Sequence, residues 1–191
     1  MRYDFIEIGT SDFRALAFSE FKGISIEPVP VYFNALPDRA GLIRLNLAIS
    51  DKTGRCVVYY CDPKVIEAYK LPNWLRGCNS INAPHPTAAK YEVKDLIKTK
   101  DVQVLSIVKL MKDYSVTEVA RLKIDTEGHD CVILKSLLSQ KEIPYIGEIQ
   151  FESNVLTNED DVNEVIELAS KHGYKHRHVV MRGNRDTILY L

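Results

Sequence analysis

Acidic residues and a histidine are concentrated in the segment RLKIDTEGHD, residues 121–130. Its first half has the apolar pattern of a buried strand, and its second half holds three carboxylates, a glycine and a histidine. Ligands of open α/β sheets bind where the strands end, so Asp125 at the strand tip is expected to face a ligand. Acids before a helix also act as caps and dipole partners. A role as helix cap or dipole partner fits Asp130. Glu127 could have that role or could face the ligand.

Two further acids stand where earlier predicted strands end. Residues 3–8 and residues 23–28 are short apolar strands, and each has a glutamate near its carboxyl end. Glu27 lies about 20 residues after the glycine turn that ends the first strand, where nucleotide-binding α/β units place a carboxylate for the ribose hydroxyls. Asn46 lies inside the apolar strand 43–49, so its amide either bonds to the backbone or faces a ligand.

These chemical groups are held by a regular alternation of strands and helices. The turn Asp51–Gly54 predicts a hairpin between residues 43–49 and 56–60. Helical spacing and alternation define the other elements. The sequence predicts strands at 3–8, 23–28, 43–49, 56–60, 122–124 and 145–152, helices at 13–21, 32–36, 93–111, 132–138 and 160–172, and a C-terminal hairpin of 174–181 and 187–191.

Residues 62–90 are irregular, with four prolines and the polar run CNSIN. A long irregular segment inside a compact domain is usually a lid or a binding loop. We predict that Trp74, Asn79 and Ser80 bind substrate here, together with Gln150 from the strand 145–152. Trp74 could instead anchor the loop in the core.

Composition limits the class of protein. The 191 residues fit one domain over 1–191, and a formal net charge of −1 argues against nucleic acid as the main partner. No apolar run is long enough to span a membrane, and no signal peptide is evident. The four cysteines show no CxxC pair and are interpreted as reduced thiols. We therefore expect a soluble, cytoplasmic protein.

Five motifs together resemble the FkbM-type family of S-adenosylmethionine-dependent methyltransferases. The resemblance covers nearly the whole chain and implies a Rossmann-like, doubly wound α/β fold: a mostly parallel sheet, helices on both faces and a C-terminal antiparallel hairpin. The chain departs from many methyltransferases at Phe13, where they carry a second glycine. The motifs are FIEIGTSDF at 5–13, IEP at 26–28, NLAIS at 46–50, LKIDTEGHD at 122–130 and QFE at 150–152.

The resemblance also implies roles for individual residues. The methionine end of S-adenosylmethionine would lie against the glycine turn, the ribose against the acid of the second strand, and the adenine against the third strand. The implied cofactor-binding residues are Glu7, Gly9, Thr10, Ser11 and Asp12 at the first strand, Glu27 and Pro28 at the second, and Asn46, Leu47 and Ala48 at the third.

Methyl transfer to a hydroxyl needs an aligned acceptor and removal of its proton. The catalytic candidates are Asp125, Glu127, His129 and Glu152. Asp125 or His129 would be the base, and Glu152 would position the acceptor. We assign no residue as a metal ligand, although a pair or trio of these carboxylates could alternatively hold a divalent cation.

The family resemblance implies O-methylation of a sugar hydroxyl, and we expect a glycan-terminal deoxyhexose such as rhamnose. No helix precedes the first strand, so we also expect a domain of a larger glycan-building enzyme. Two alternatives stay open. One is an NAD-dependent oxidoreductase, which shares the strand-glycine-helix unit but would carry GxGxxG. The other is a non-catalytic nucleotide-binding module whose acids are only helix caps.

Overall fold

A computed structural model describes residues 1–12, 15–86, 94–181 and 184–191, and in these ranges the chain is a mixed α/β structure. Seven strands form one sheet in the order β3-β2-β1-β7-β8-β10-β9, and three form a small sheet in the order β4-β6-β5. The strands are β1 (Arg2–Ile8), β2 (Gly23–Ile26), β3 (Leu42–Leu45), β4 (Ala48–Ser50), β5 (Gly54–Tyr60), β6 (Lys98–Ser106), β7 (Glu118–Ile124), β8 (Tyr145–Glu152), β9 (Lys175–Met181) and β10 (Asn184–Tyr190).

Parallel pairing aligns the ends of the central strands. Ile8 of β1 pairs with Ile26 of β2 and with Ile124 of β7. The next residue of each strand therefore lies at the same edge of the sheet, which brings together the chain segments that begin at residues 9, 27 and 125. The strands β10 and β9 are antiparallel, which confirms the mostly parallel sheet with a C-terminal hairpin.

The helices are short, and three of them build the main core with the sheet. Ser106 and Asn158 cap two of these helices by accepting the backbone N–H of Lys109 and of Asp160. The α-helices are α1 (Pro30–Phe33), α2 (Pro63–Ala68), α3 (Ile107–Asp113), α4 (Asp130–Leu138) and α5 (Glu159–Lys171), and 3₁₀ turns occupy Leu16–Phe18, Asn73–Gly77 and Lys94–Leu96.

The apolar faces of α3, α4 and α5 are fully buried at Leu110, Leu134 and Val165. These side chains pack in one cluster with Leu122 of β7 and Ile149 of β8. The core thus fixes the strands that carry the acidic tips. Within the described residues, every helix is too short or too polar to cross a bilayer.

The predicted hairpin between residues 43–49 and 56–60 is wrong. The predicted strand 43–49 is divided between the two sheets at residues 46–47, where the side chain of Asn46 donates to the carbonyls of Glu27 and Pro28. Both β4 and β5 then pair with β6, which lies between them.

The predicted helix over 93–111 is also wrong over most of its length. Residues 98–106 form strand β6, where Val102 and Val104 are buried and Gln103 between them is exposed. That alternation has a period of two, which is the strand period. Helix α3 begins only after Ser106.

Two smaller differences concern the segments after β1 and β2. The predicted helix at 13–21 is a 3₁₀ turn at Leu16–Phe18, and Phe21, expected on its apolar face, is 61% exposed. Residues 13–14 lie outside the described residues, and so does the prediction made for Phe13. The short helix expected at 32–36 is the single turn α1, which begins earlier because Pro30 is suited to a first helical position.

Candidate active site

The tips of β1 and β7 touch so closely that only glycine fits between them. Gly9 has a φ of +81°, and a Cβ added there would lie 1.8 Å from the carbonyl oxygen of Asp125. The backbone N–H of Asp125 donates to the carbonyl of Ile8 at 2.9 Å, and that of Gly9 donates to Ile26 at 3.0 Å. The three strand tips therefore form one rigid floor.

Glu27 is held at this floor by backbone amides. Its side chain is 2% exposed. One carboxylate oxygen accepts the N–H of Ser11 at 2.6 Å, and the other accepts the N–H of Val29 at 2.8 Å. Burial raises the pKa of Glu27 to about 7. The acid predicted to meet a ribose is thus fixed in one orientation with lone pairs still available.

A cleft with an open mouth lies above this floor. The end of β2, the segment before β4 and the face of β5 supply its apolar walls. Eight predicted site residues line it: Gly9, Ser11, Glu27, Pro28, Leu47, Ala48, Asn79 and Asp125. The other lining residues are Ile8, Ile26, Ile49, Val58, Gly77, Ile81 and Thr126.

Asn79 brings an uncompensated acceptor to the cleft. Its side-chain N–H donates to the carbonyl of Arg76 at 2.8 Å. Its Oδ1 is buried and accepts no hydrogen bond from the described residues. A buried acceptor without a donor costs about 1–3 kcal/mol, so a ligand N–H or O–H in the cleft would be stabilised there.

Four of the predicted cofactor-binding residues lie behind the cleft lining. Thr10 is buried and its hydroxyl bonds to Ile26 at 3.2 Å. Asn46 donates to the carbonyls of Glu27 and Pro28. Glu7 is fully buried and Asp12 pairs with an arginine. In this structure they hold the segments that line the cleft.

The irregular segment closes the cleft from above. Arg76 forms an ion pair with Asp12, and its carbonyl accepts the hydroxyl of Ser11 at 2.8 Å. Ser80 donates to the carbonyl of Glu127 at 3.2 Å. We call residues 73–82 the roof segment. Its Trp74 is 45% exposed, and its Ser80 is buried.

Lys123 lies between two of the acids and was missed in the sequence. Its Nζ is 3.2 Å from Glu7 and 3.1 Å from Asp125. Both acids raise the pKa of Lys123 against the opposing effect of its burial. The alternation of side chains along the strand is the signal that could have revealed it. Lys123 points to the face opposite Leu122 and Ile124, so a charged group there needs polar neighbours.

Three carboxylates converge beside the cleft. One ligand atom each from Asp125, Glu127 and Glu152 lies within 4.8 Å of the others. Burial, followed by the charges of Asp125 and Glu127, raises the pKa of Glu152 to about 10. Glu127 also contacts His85 at 3.1 Å. Glu152 therefore keeps its proton at neutral pH unless a cation compensates the cluster.

His129 is engaged on both sides of its ring. Its Nε2 is 2.9 Å from the hydroxyl of Ser50, and its Nδ1 is 3.1 Å from the side-chain oxygen of Asn82. Burial lowers the pKa of His129 and so favours the neutral form of the ring. It does not line the cleft, in contrast to Asp125.

Asp130 has a structural position at the start of α4. It is fully buried, and its two oxygens accept the N–H of Thr126 and the N–H of Glu152, both at 2.9 Å. These bonds tie the segment after β7 to the end of β8. Gln150, predicted to bind substrate, instead bonds to Arg121 and Asp186 along the sheet.

The sequence contained no signal for several of these contacts. Ser50, Asn82 and His85 approach the acidic segment from positions far away in the chain, and only the fold brings them there.

The four cysteines, Cys56, Cys61, Cys78 and Cys131, are free thiols.

A sheet with this strand order, a glycine turn and acids at its aligned strand ends agrees with the Rossmann-like methyltransferase fold expected from the motifs. The family model described as "Methyltransferase FkbM domain" matches residues 7–176. The chain therefore belongs to the FkbM methyltransferase family.

Two solved structures are similar to the chain at 11% identity each. "Human methyltransferase 10 domain containing protein" aligns with 98% of this chain and 69% of that one, with a TM-score of 0.43. "delta-N METTL16 MTase domain" aligns with 99% of this chain and 70% of that one, with a TM-score of 0.41. No curated protein sequence matches the chain.

Proposed function

We propose that residues 1–191 act as one S-adenosylmethionine-dependent O-methyltransferase domain whose acceptor is a sugar hydroxyl. The preferred acceptor is a deoxyhexose such as rhamnose at the end of a glycan. The observation that carries the proposal is the cleft over the tips of β1 and β2, which leads directly to the carboxylates after β7 and β8. Family membership supports methyl transfer as the reaction class.

The residues of the cleft fit the cofactor. Gly9 lines the cleft, Glu27 presents a fixed carboxylate for a ribose diol, and Leu47 contributes to an apolar slot for a flat base. Asn79 adds an unpaired acceptor. When bound, S-adenosylmethionine supplies an activated methyl group on a sulfonium.

The carboxylates are our candidates for positioning and deprotonating the acceptor hydroxyl. Asp125 lines the cleft and is our candidate for the base, because His129 has both ring nitrogens engaged outside it. Glu152 would position the acceptor hydroxyl by a hydrogen bond. From the roof segment, Asn79 brings an unpaired side-chain oxygen to the cleft, and Trp74 presents an exposed aromatic face of a kind suited to a sugar.

Calorimetry with S-adenosylmethionine and with NAD tests the cofactor. We expect binding of S-adenosylmethionine and a weaker interaction with NAD, because the turn after β1 lacks the GxGxxG sequence that holds a dinucleotide pyrophosphate. Glu27→Ala should weaken the binding of S-adenosylmethionine, because it removes the ribose contact. Binding of NAD without S-adenosylmethionine would instead support the oxidoreductase. If neither S-adenosylmethionine nor NAD binds, the result would support a module that uses neither cofactor.

A methyl-transfer screen tests the acceptor. Glycans that end in different deoxyhexoses and hexoses are incubated with the full chain and cofactor labelled in its methyl group. The expected result is label on a sugar hydroxyl, with terminal rhamnose among the best acceptors. Label only on nitrogen acceptors, or none on any glycan, would contradict the sugar assignment.

A further inference from the structure

Asp125, Glu127 and Glu152 converge because two neighbouring strands end together. Ile124 of β7 pairs with Phe151 of β8, so the next residue of each strand is a carboxylate. Glu127 returns to the same place through a backbone with a φ of +54°. Ligand atoms of all three side chains lie within 4.8 Å of one another. Carboxylates this close repel unless a proton or a cation lies between them.

Glu152 provides an independent sign of a ligand. Asp125 has Lys123 as a partner at 3.1 Å, and Glu127 has His85 at 3.1 Å. Glu152 is only 9% exposed, and its Oε2 is buried without a hydrogen bond from any part of the chain that the structure describes. A buried carboxylate oxygen of this kind is costly and calls for a positively charged neighbour.

We propose that Asp125, Glu127 and Glu152 bind one hard divalent cation of the Mg²⁺, Mn²⁺ or Ca²⁺ type. Oxygens on opposite sides of a Ca²⁺-like ion with bonds of about 2.3–2.6 Å are separated by about 4.6–5.2 Å, so one ion can contact all three side chains. An all-carboxylate set favours these ions over soft metals. Nothing in this geometry requires S-adenosylmethionine to be present for the cation to bind.

The cation's role rests on the proposed function, since it would lie beside the acceptor position. There it would bind an acceptor hydroxyl and lower its pKa. With the cation bound, Asp125 would contribute as its ligand, and the loss of transfer expected for an Asp125 variant follows from either role. Its binding can still be measured without cofactor or acceptor. The two proposals can therefore fail separately.

The test is a Mn²⁺ titration of the full chain, followed by the electron paramagnetic resonance signal of the free ion. We expect one bound ion with a Kd between about 10⁻⁵ and 10⁻³ M, displaced by excess Mg²⁺ or Ca²⁺. Glu152→Gln should weaken binding at least about tenfold. Glu148→Gln is the matched control, because it lies on the same strand and pairs with Arg121 outside the cluster. It should bind as the wild type does.

Absence of Mn²⁺ binding at about 10⁻² M, or equal binding by wild type and Glu152→Gln, overturns the inference and leaves a proton as the compensating group. If circular dichroism shows that Glu152→Gln is unfolded, Glu127→Gln replaces it with the same expectation. Binding of Zn²⁺ that depends on Cys78 and persists in Glu152→Gln would assign the adjacent trio Cys78, His85 and Glu127 instead.

Methyl transfer separates this inference from the proposed function. A chain that binds Mn²⁺ as expected but methylates no acceptor contradicts the function and supports the cation site. A chain that methylates sugars equally well with and without a chelator, and shows no Mn²⁺ binding, supports the function and contradicts the cation site.

Discussion

At the scale of single residues, the site depends on the carboxylates that line the cleft, Glu27 and Asp125, and on one glycine that lets two strands touch. Asp125 was predicted from its place at the end of an apolar strand, and it lines the cleft. Its ion pair with Lys123 was not predicted, because strand alternation shows only which face a side chain takes and not what lies opposite. The same limit applied to Glu152 and its two acidic neighbours, Asp125 and Glu127.

Replacing Asp125 by Asn should lower methyl transfer at least about 100-fold, because a positioned base typically contributes 10²–10⁴-fold. Cofactor binding should stay within a few-fold of wild type, since Glu27 and Gly9 are unchanged. Initial rates with labelled cofactor and calorimetry measure the two effects. Glu118→Gln, at the opposite end of the same strand, is the control and should keep full activity. Full turnover by Asp125→Asn would remove Asp125 from the mechanism.

Replacing Gly9 by Ala should destabilise the fold by more than about 2 kcal/mol, because the new Cβ meets a backbone carbonyl in a backbone region that favours glycine. Gly54→Ala is the matched control. Its Cβ would have nothing within 4 Å, so the free energy of unfolding should change by less than about 1 kcal/mol. Urea denaturation measures the free energy of unfolding of both variants. Equal effects of the two variants would show that the contact between Gly9 and Asp125 is not tight in solution.

At the scale of elements, the order of strong strands and helices could be predicted, but not which short strands pair. The strands β1, β2 and β7 have dense apolar patterns, and parallel strands place their ends together. The small sheet was missed because β4 has three residues and β6 alternates only over Val102 and Val104. Whether β4 pairs with β5 or with β6 depends on contacts far apart in the chain.

Arg76 helps to hold the roof segment over the cleft, so replacing Arg76 should loosen the roof segment alone. Arg76→Gln should increase hydrogen exchange at amides 73–82 at least several-fold, while exchange in β1 and β7 stays unchanged. The reason is the loss of the charge-assisted bonds to Asp12, which is 6% exposed. Arg55→Gln, which breaks the exposed pair with Asp101, is the control. Uniform faster exchange across the chain would indicate general destabilisation instead.

At the scale of the whole molecule, building a ligand site into the floor of the sheet lowers stability at neutral pH. Glu27 is a buried acid whose pKa in the folded state is about 7, above the ordinary glutamate value of 4.5. Below about pH 4.5 it is protonated in both states. Between about 4.5 and 7 the folded state binds the extra proton, so stability falls as the pH rises, and above 7 the effect is constant.

The expected loss from Glu27 is on the order of 3 kcal/mol between pH 5 and pH 8, and Glu27→Gln should not show it. Urea denaturation of wild type and variant at both pH values isolates this group, because every other titrating group is shared. The free energy of unfolding of wild type minus that of the variant should therefore decrease as the pH rises. A difference that stays constant between pH 5 and pH 8 would mean that Glu27 is ionised throughout. The amides of Ser11 and Val29 would then compensate its burial in full.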